Sequence, residues 1–243
     1  MMNHNITDIL TQQYWDKIGK GYDVFWQSRG KRSISEKELS FINIHLRKTK
    51  AGRVLDIGVG TGRIIMTYLN DPYIQEIYGI DAAGSMVKTC QDKFNDEKRV
   101  RGIEVCNISK EDIPFLKEYD FISAVRILKY NCNWKEIIQK TSKRLKKNGV
   151  FVFTIVNKRA FSRFTRPETP IFSTTKKEIE LFGRKCGLEP IAITSFSKLP
   201  DIFYDISNNK FYVKFLLAIE NLLEMFLGDI LFGREFFISA RKI

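Results

Sequence analysis

The feature that most constrains this chain is the run Val54-Leu55-Asp56-Ile57-Gly58-Val59-Gly60-Thr61-Gly62-Arg63. An apolar stretch ends in an acid, and three glycines follow at alternate positions. Ile64, Ile65, Met66, Tyr68 and Leu69 then continue at helix-compatible spacing. This pattern reads as strand, tight loop, helix. The glycines allow positive φ and let a ligand lie against bare main chain. The helix start beyond them offers N–H groups and a partial positive charge. A nucleotide-like ligand suits such a loop, through a phosphate or a carboxylate. Spacing narrows the choice. The dinucleotide fingerprint G-x-G-x-x-G/A needs a small residue where Arg63 stands, and a P-loop needs Gly-Lys-Ser/Thr where the chain has Gly62-Arg63-Ile64.

A second apolar run, Ile77-Tyr78-Gly79-Ile80-Asp81, also ends in an acid, about 20 residues on, where nucleotide folds set a carboxylate against ribose hydroxyls. Ala82-Ala83-Gly84-Ser85-Met86 opens the next helix. The D-x-G-x-G-x-G loop after a strand, with this second acid, resembles the class I S-adenosylmethionine-dependent methyltransferases of small-molecule type. The resemblance covers most of residues 50 to 157 and, more loosely, the ends. It implies a three-layer Rossmann-like α/β sandwich. The sheet would be seven-stranded and mostly parallel with a last antiparallel strand, joined by an N-terminal lid helix and an apolar helix inserted near the C-terminus.

The resemblance also implies the cofactor, S-adenosylmethionine, and its contacts. Asp56, Gly58, Gly60 and Gly62 would hold its methionine end, Asp81 the ribose, with Ala82, Met86 and Val125 beside them. In the family an Asp followed by an apolar residue clamps the adenine. Here the pair is Asn107-Ile108, and an amide oxygen can accept the same hydrogen bond. A Tyr-Trp and later Tyr-Asp opening, here Tyr14-Trp15 and Tyr22-Asp23, forms a lid in such enzymes, which adds Tyr22 to the cofactor set.

The chain of 243 residues divides into a lid region, 1–48, and a methyltransferase domain, 49–243, with 157–175 and 200–232 as acceptor-side insertions. Arg29 to Ser33 reads as a basic loop, and Ser35 with Glu38 as a capping box opening a helix. Strands are expected at 100–106, 119–125, 150–156, 188–196 and the last residues. Leu145-Lys146-Lys147-Asn148-Gly149 reads as a glycine-capped helix end, and Ser173-Thr174-Thr175 as a helix start. From Asn208 to about Gly228, Lys210, Lys214, Asn221 and Glu224 form one narrow stripe on an otherwise apolar helix. Such a face demands cover. The sheet or a homodimer partner is the first expectation; an apolar acceptor or a peripheral membrane contact is the other. Glu220, Glu224 and Asp229 exclude spanning and count against strong binding to anionic lipid.

The net charge of +12 predicts anionic partners. Nucleic acid is disfavoured: Ala124-Val125-Arg126-Ile127 stands where amino-methylating enzymes of nucleic acids carry Asp/Asn-Pro-Pro-Tyr/Phe, and no Pro-Cys pair occurs. In an open α/β sheet the strand ends form the ligand crevice. Arg126, Lys129 and Tyr130, with Arg32, are therefore the expected contacts to an anionic or partly apolar acceptor. Cys90, Cys106, Cys132 and Cys186 form no C-x-x-C pair, so no metal cluster is expected. The polar N-terminus lacks a signal-peptide core, no apolar run reaches spanning length, and a cytoplasmic protein follows. Tyr22, Asp23 and Tyr130 are candidate bases, with Tyr14 behind them; His4 and His45 lie away from the strand ends. The expected activity is methyl transfer to oxygen or nitrogen of a small molecule such as a sugar-phosphate, nucleotide-sugar or lipid-linked glycan. The alternatives are an RNA or other nucleic-acid methyltransferase and a non-catalytic scaffold of the same fold.

Overall fold

In the computed structural model, residues 12–160, 171–228 and 230–243 are described. Strands β1 (Arg53–Ile57), β2 (Glu76–Asp81), β3 (Val100–Val105), β4 (Tyr119–Ala124), β5 (Leu145–Asn157), the two-residue β6 (Ser173–Thr174), β7 (Leu188–Phe196) and β8 (Glu235–Lys242) form one sheet. Its order is β3-β2-β1-β4-β5-β8-β7, with β6 beside β5. The β3-to-β5 pairs are parallel, while β8 runs antiparallel to both β5 and β7. The expected seven-stranded sheet with an antiparallel last strand is present, and β6 adds a short eighth.

The helices are α1 (12–18), α2 (Tyr22–Phe25), α3 (Arg29–Thr49), α4 (Arg63–Leu69), α5 (Gly84–Phe94), α6 (Trp134–Lys143), α7 (Lys176–Lys185), α8 (Ile202–Asp205) and α9 (Lys210–Leu227). Strand alternation sorts the core into two layers. Val54, Ile77, Phe121 and Val152 pack with Ile42 and Leu46 of α3 and Ile65 and Tyr68 of α4. Leu55, Ile122 and Phe151 face the other way, onto Ile137 and Ile138 of α6 and Ile179 of α7. Both faces are therefore covered, as the nearly continuous apolar strands require. Strand order reverses between β1 and β4, which opens a crevice at their carboxyl ends.

Three local readings are corrected. Residues 29–33 are the first turns of α3, not a loop: Ser28 is the N-cap, its hydroxyl accepting from the Lys31 N–H at 3.3 Å. Ser35 and Glu38 thus sit inside the helix and are buried. Gly149 is not a helix cap. Helix α6 stops at Lys143, Leu145 already pairs with Tyr119, and Val150 pairs with Phe121, so the intervening residues bulge out. A Cβ on Gly149 would come within 3.0 Å of the Tyr119 carbonyl oxygen, so close approach of backbone explains the glycine. Helix α9 is not covered by the sheet. Asn209 caps it, accepting from Phe211 N–H at 2.8 Å, and only Val213, Leu216 and Glu220 of its side chains are buried. Leu216 joins Ile34 and Tyr204 in a small satellite core against α3 and α8. Asp229 and residues 161–170 of the first predicted insertion lie outside the described residues.

Candidate cofactor and acceptor site

The loop after β1 is built to be held from one side and open on the other. Gly58, Gly60 and Gly62 have φ of 78°, 52° and 88°. The N–H groups of Gly58 and Val59 donate to the Ile80 carbonyl at 2.7 and 3.0 Å. Asp81 clamps the rest: Oδ2 accepts from Gly60 N–H and Oδ1 from Ala83 N–H, both at 2.9 Å. A Cβ on Gly58 would lie 1.9 Å from Ile127 Cδ1, and one on Gly62 2.2 Å from Phe94 Cε2. On Gly60 its nearest neighbour is Tyr22 Cε1 at 3.9 Å. Gly58 and Gly62 are small because the protein crowds them, whereas Gly60 faces free space.

Asp56 ends β1 beneath that space. Its Oδ1 accepts from the Ser123 hydroxyl, which lies 2.7 Å from the Tyr68 hydroxyl. Its Oδ2 is buried without a partner. Burial pushes the carboxyl up to about 8. A buried acceptor without a donor is rare and calls for one. A ligand ammonium fits that place.

A cavity of about 730 Å³ lies over the loop, lined by Tyr22, Asp56, Gly60, Met86 and Val125 among others. A hollow of about 80 Å³ shares Gly58, Asp81 and Tyr130 with it and reaches Ala82, Asn107 and Ile108. The two together gather every cofactor residue expected from the sequence except Gly62, which turns into the core. Asn107 is present but differently engaged. Its Oδ1 accepts from Ser109 N–H at 3.1 Å and Ser109 Oγ at 2.8 Å, so the amide oxygen expected to receive the adenine amine already has two donors. An Asn two residues before a Ser closes its own turn.

The segment 12–26 covers the cavity. Trp15 meets Tyr22 and Tyr130 edge-on, with centroids 5.6 and 5.5 Å apart. Gln12 Nε2 donates to the Ala82 carbonyl at 2.8 Å, and Thr61 Oγ1 to Asp23 Oδ1 at 2.5 Å. Asp16 Oδ1 accepts from Ser85 N–H at 3.1 Å and so caps α5, which has no cap of its own. Burial raises the Tyr22 phenol, leaving it protonated and a donor at neutral pH. Asp23 is occupied by Thr61.

At the other end Arg126 and Lys129 line the cavity as expected, but each already has a carboxylate. Arg126, at φ 64°, donates to Glu38 Oε1 from Nε at 3.1 Å and Nη2 at 2.6 Å. Arg63 donates to Glu38 Oε2 at 2.8 Å and to Ser35 Oγ at 2.6 Å. Both guanidinium carbons lie over the Trp26 ring, 4.4 Å away for Arg63 and 4.9 Å for Arg126. Lys129 Nζ donates to buried Glu235 at 2.6 Å. Burial works against the Glu38 and Glu235 charges, yet the cations beside them hold both carboxyls below the usual range. Arg32 is exposed, donates to the Gln27 carbonyl at 3.5 Å and does not line the cavity. Tyr14 and Tyr130 line it; His45 packs on Phe41 in α3, and His4 lies outside the described residues.

Sequence reasoning missed Gln12 and Asp201 as wall residues and Glu38, Arg63 and Glu235 as the charge network. Arg63 carried a signal, since it occupies the position that the dinucleotide fingerprint reserves for a small residue.

A family model for a methyltransferase domain matches residues 54–149. Over those residues the chain is similar to methyltransferase domains. It is 30% identical to an uncharacterized protein of Methanocaldococcus jannaschii over 148 residues, 60% of this chain and 63% of that one. It is 28% identical to a probable S-adenosylmethionine-dependent methyltransferase of Saccharomyces cerevisiae over 119 residues, 47% of this chain and 40% of the relative. These matches therefore span less than two thirds of either relative. The solved structure of the cyclase SpnF superposes with a TM-score of 0.69 at 17% identity, covering 97% of each chain. That likeness concerns the fold; function follows from the site.

Proposed function

We propose that the chain transfers the methyl group of S-adenosylmethionine to an oxygen or nitrogen of a small molecule with an anionic or partly apolar part. A sugar-phosphate, a nucleotide-sugar and a lipid-linked glycan are the classes that suit it. The observation that carries the reading is the unpartnered Asp56 Oδ2 buried beneath the open face of Gly60. When bound, the cofactor supplies an electrophilic methyl group. The residues of the chain align and enclose. Asp56 accepts from the ammonium of the methionine end. Asp81 keeps unused lone pairs for ribose hydroxyls while holding the loop. Trp15, Tyr22 and Tyr130 keep water from the acceptor side.

Arg126 and Lys129, neutralised by Glu38 and Glu235, serve as directional donors to the acceptor more than as bare charges. An amine acceptor needs only to be neutral, while a hydroxyl needs a base. Tyr130, which lines the cavity, and Asp23, whose Oδ1 accepts from Thr61, are the base candidates for a hydroxyl. The four free thiols suit a reducing compartment such as the cytoplasm.

Calorimetric titration of S-adenosylhomocysteine tests the reading. Micromolar binding to the wild type that weakens in Asp56→Ala supports it and justifies an acceptor screen with labelled cofactor. No binding to a folded wild type at any pH between 6 and 9 would sink it.

A further inference from the structure

Helix α9 turns its apolar side outward. Wound at the helical repeat, Val213, Leu216 and Glu220 share the buried face. Opposite them Phe211, Phe215, Leu222, Met225 and Phe226 are exposed by 53% or more. The adjoining α8, whose Phe203 carbonyl accepts from the Tyr212 hydroxyl at 2.8 Å, exposes Ile202 and Ile206. Isolated exposed apolar residues are ordinary, but a row of this size marks an interaction surface.

Among the described residues, the exposed charges beside the row that no ion pair engages are cationic. Lys210 and Lys214 flank it and are exposed. Arg29, also exposed, sits at the start of α9, its N–H donating to Asn208 Oδ1 at 2.7 Å. The acids are drawn away. The Glu220 carboxylate is buried, accepting from Lys198 and Leu199 N–H, both at 2.9 Å, and from the Tyr204 hydroxyl. Glu224 pairs with Lys37 at 3.5 Å. Asp205 on α8 pairs with Lys31 at 3.0 Å, and Asp201 with Lys31 and Arg234. Two of the three acids that counted against an anionic surface are therefore not on the exposed row.

We propose that the α8–α9 face docks on an anionic lipid bilayer, α9 lying in the interfacial plane. Apolar side chains would enter the headgroup boundary while the flanking cations meet lipid phosphates. Charge decides against a second copy as the occupant. Two chains of net charge +12 repel, and the same charge draws each to an anionic membrane. No helix among the described residues is long and apolar enough to cross a membrane, so the contact lies on the surface. Asp201, next to the start of α8, also lines the large cavity, so docking sets the cavity close to the lipid surface. On the proposed methyl transfer, on which this last step alone rests, the acceptor is an amphiphile held at that surface.

Co-sedimentation with phosphatidylcholine vesicles, with and without one-third phosphatidylglycerol, tests the docking. Wild type is expected to partition at least about tenfold better onto the anionic vesicles at low salt, with the gain falling as salt rises. The double variants F211S/F215S and K210E/K214E are each expected to lose at least about tenfold, with unchanged melting temperature because the altered side chains face outward. Equal partition onto both vesicles, or undiminished binding by both variants, overturns the proposal. So does a lipid-free dimer seen by light scattering that F211S/F215S dissociates, which would assign the face to a second copy. Titration of S-adenosylhomocysteine in the same samples separates failure of docking from failure of the methyltransferase reading.

Discussion

The two ends of the large cavity handle charge in opposite ways. At the loop end, Asp56 is buried with one oxygen unpartnered, and Asp81 binds only backbone N–H groups. At the far end, Glu38 takes both Arg126 and Arg63, and Glu235 takes Lys129. The first end is unsatisfied until a ligand arrives. The second has its carboxylates ion-paired beforehand, although Glu235 Oε2 also lacks a hydrogen-bond partner. Binding energy is thus to be gained at the loop, while shape and directed donors discriminate at the other end.

The strongest way to break this contrast is Glu38→Ala. It strands two partly buried guanidinium groups and is expected to cost about 3–5 kcal/mol, roughly 10 °C in melting temperature. A urea midpoint near that of wild type would show that the far end is not held by its ion pairs. Asp81→Ala is expected to act the other way, on ligand more than on fold. Losing the carboxylate that would accept from the ribose hydroxyls should weaken S-adenosylhomocysteine about a hundredfold in calorimetry. A larger loss of stability than of affinity would make Asp81 a folding residue.

Asp56 supplies a pH test. Its carboxyl is raised to about 8, so the unliganded protein holds a proton that the unfolded chain, ionising in the ordinary carboxylate range, has released. Stability of the unliganded form therefore falls as pH rises toward 8. Ligand ammonium needs the carboxylate, so affinity should rise about tenfold from pH 6 to pH 7 and level off above pH 8. Asp56→Asn should be flat across that range. A parallel profile in that variant would remove Asp56 from ligand binding. The smallest effect is expected from Gly60→Ala, about 1 kcal/mol of backbone strain at φ 52°. It should weaken ligand more than it lowers the melting temperature, whereas Gly62→Ala, blocked by Phe94, should do the reverse.

The loop end was readable because its demands are local. A strand must end in an acid, and φ signs must fall on glycines within a few residues. The far end was not, because its partners are distant in the chain. Ser35 and Glu38 are spaced as a capping box, but the same spacing puts two side chains on one helical face. Only folding brings Arg63 and Arg126 to them, 25 and 88 residues on. Arg126 and Lys129 were placed correctly by the rule for strand ends, yet Glu235, 106 residues beyond Lys129, was invisible. Asn107 matched a family position while its own Ser109 claimed the amide oxygen. In α9 the apolar pattern was plain, but which arc faces inward depends on buried Glu220, a residue that sequence rules assign to solvent.

The cap that Asp16 lends to α5 couples two clocks. Among the described residues, four hydrogen bonds tie the covering segment down: Gln12 to the Ala82 carbonyl, Thr61 to Asp23, and the Ser85 amide and hydroxyl to Asp16. At about 1 kcal/mol each, the parted form is populated at roughly one molecule in a thousand. Each departure also frees the Ser85 amide. Hydrogen exchange at that one amide therefore reports how often the cofactor is free to leave, without any acceptor being known.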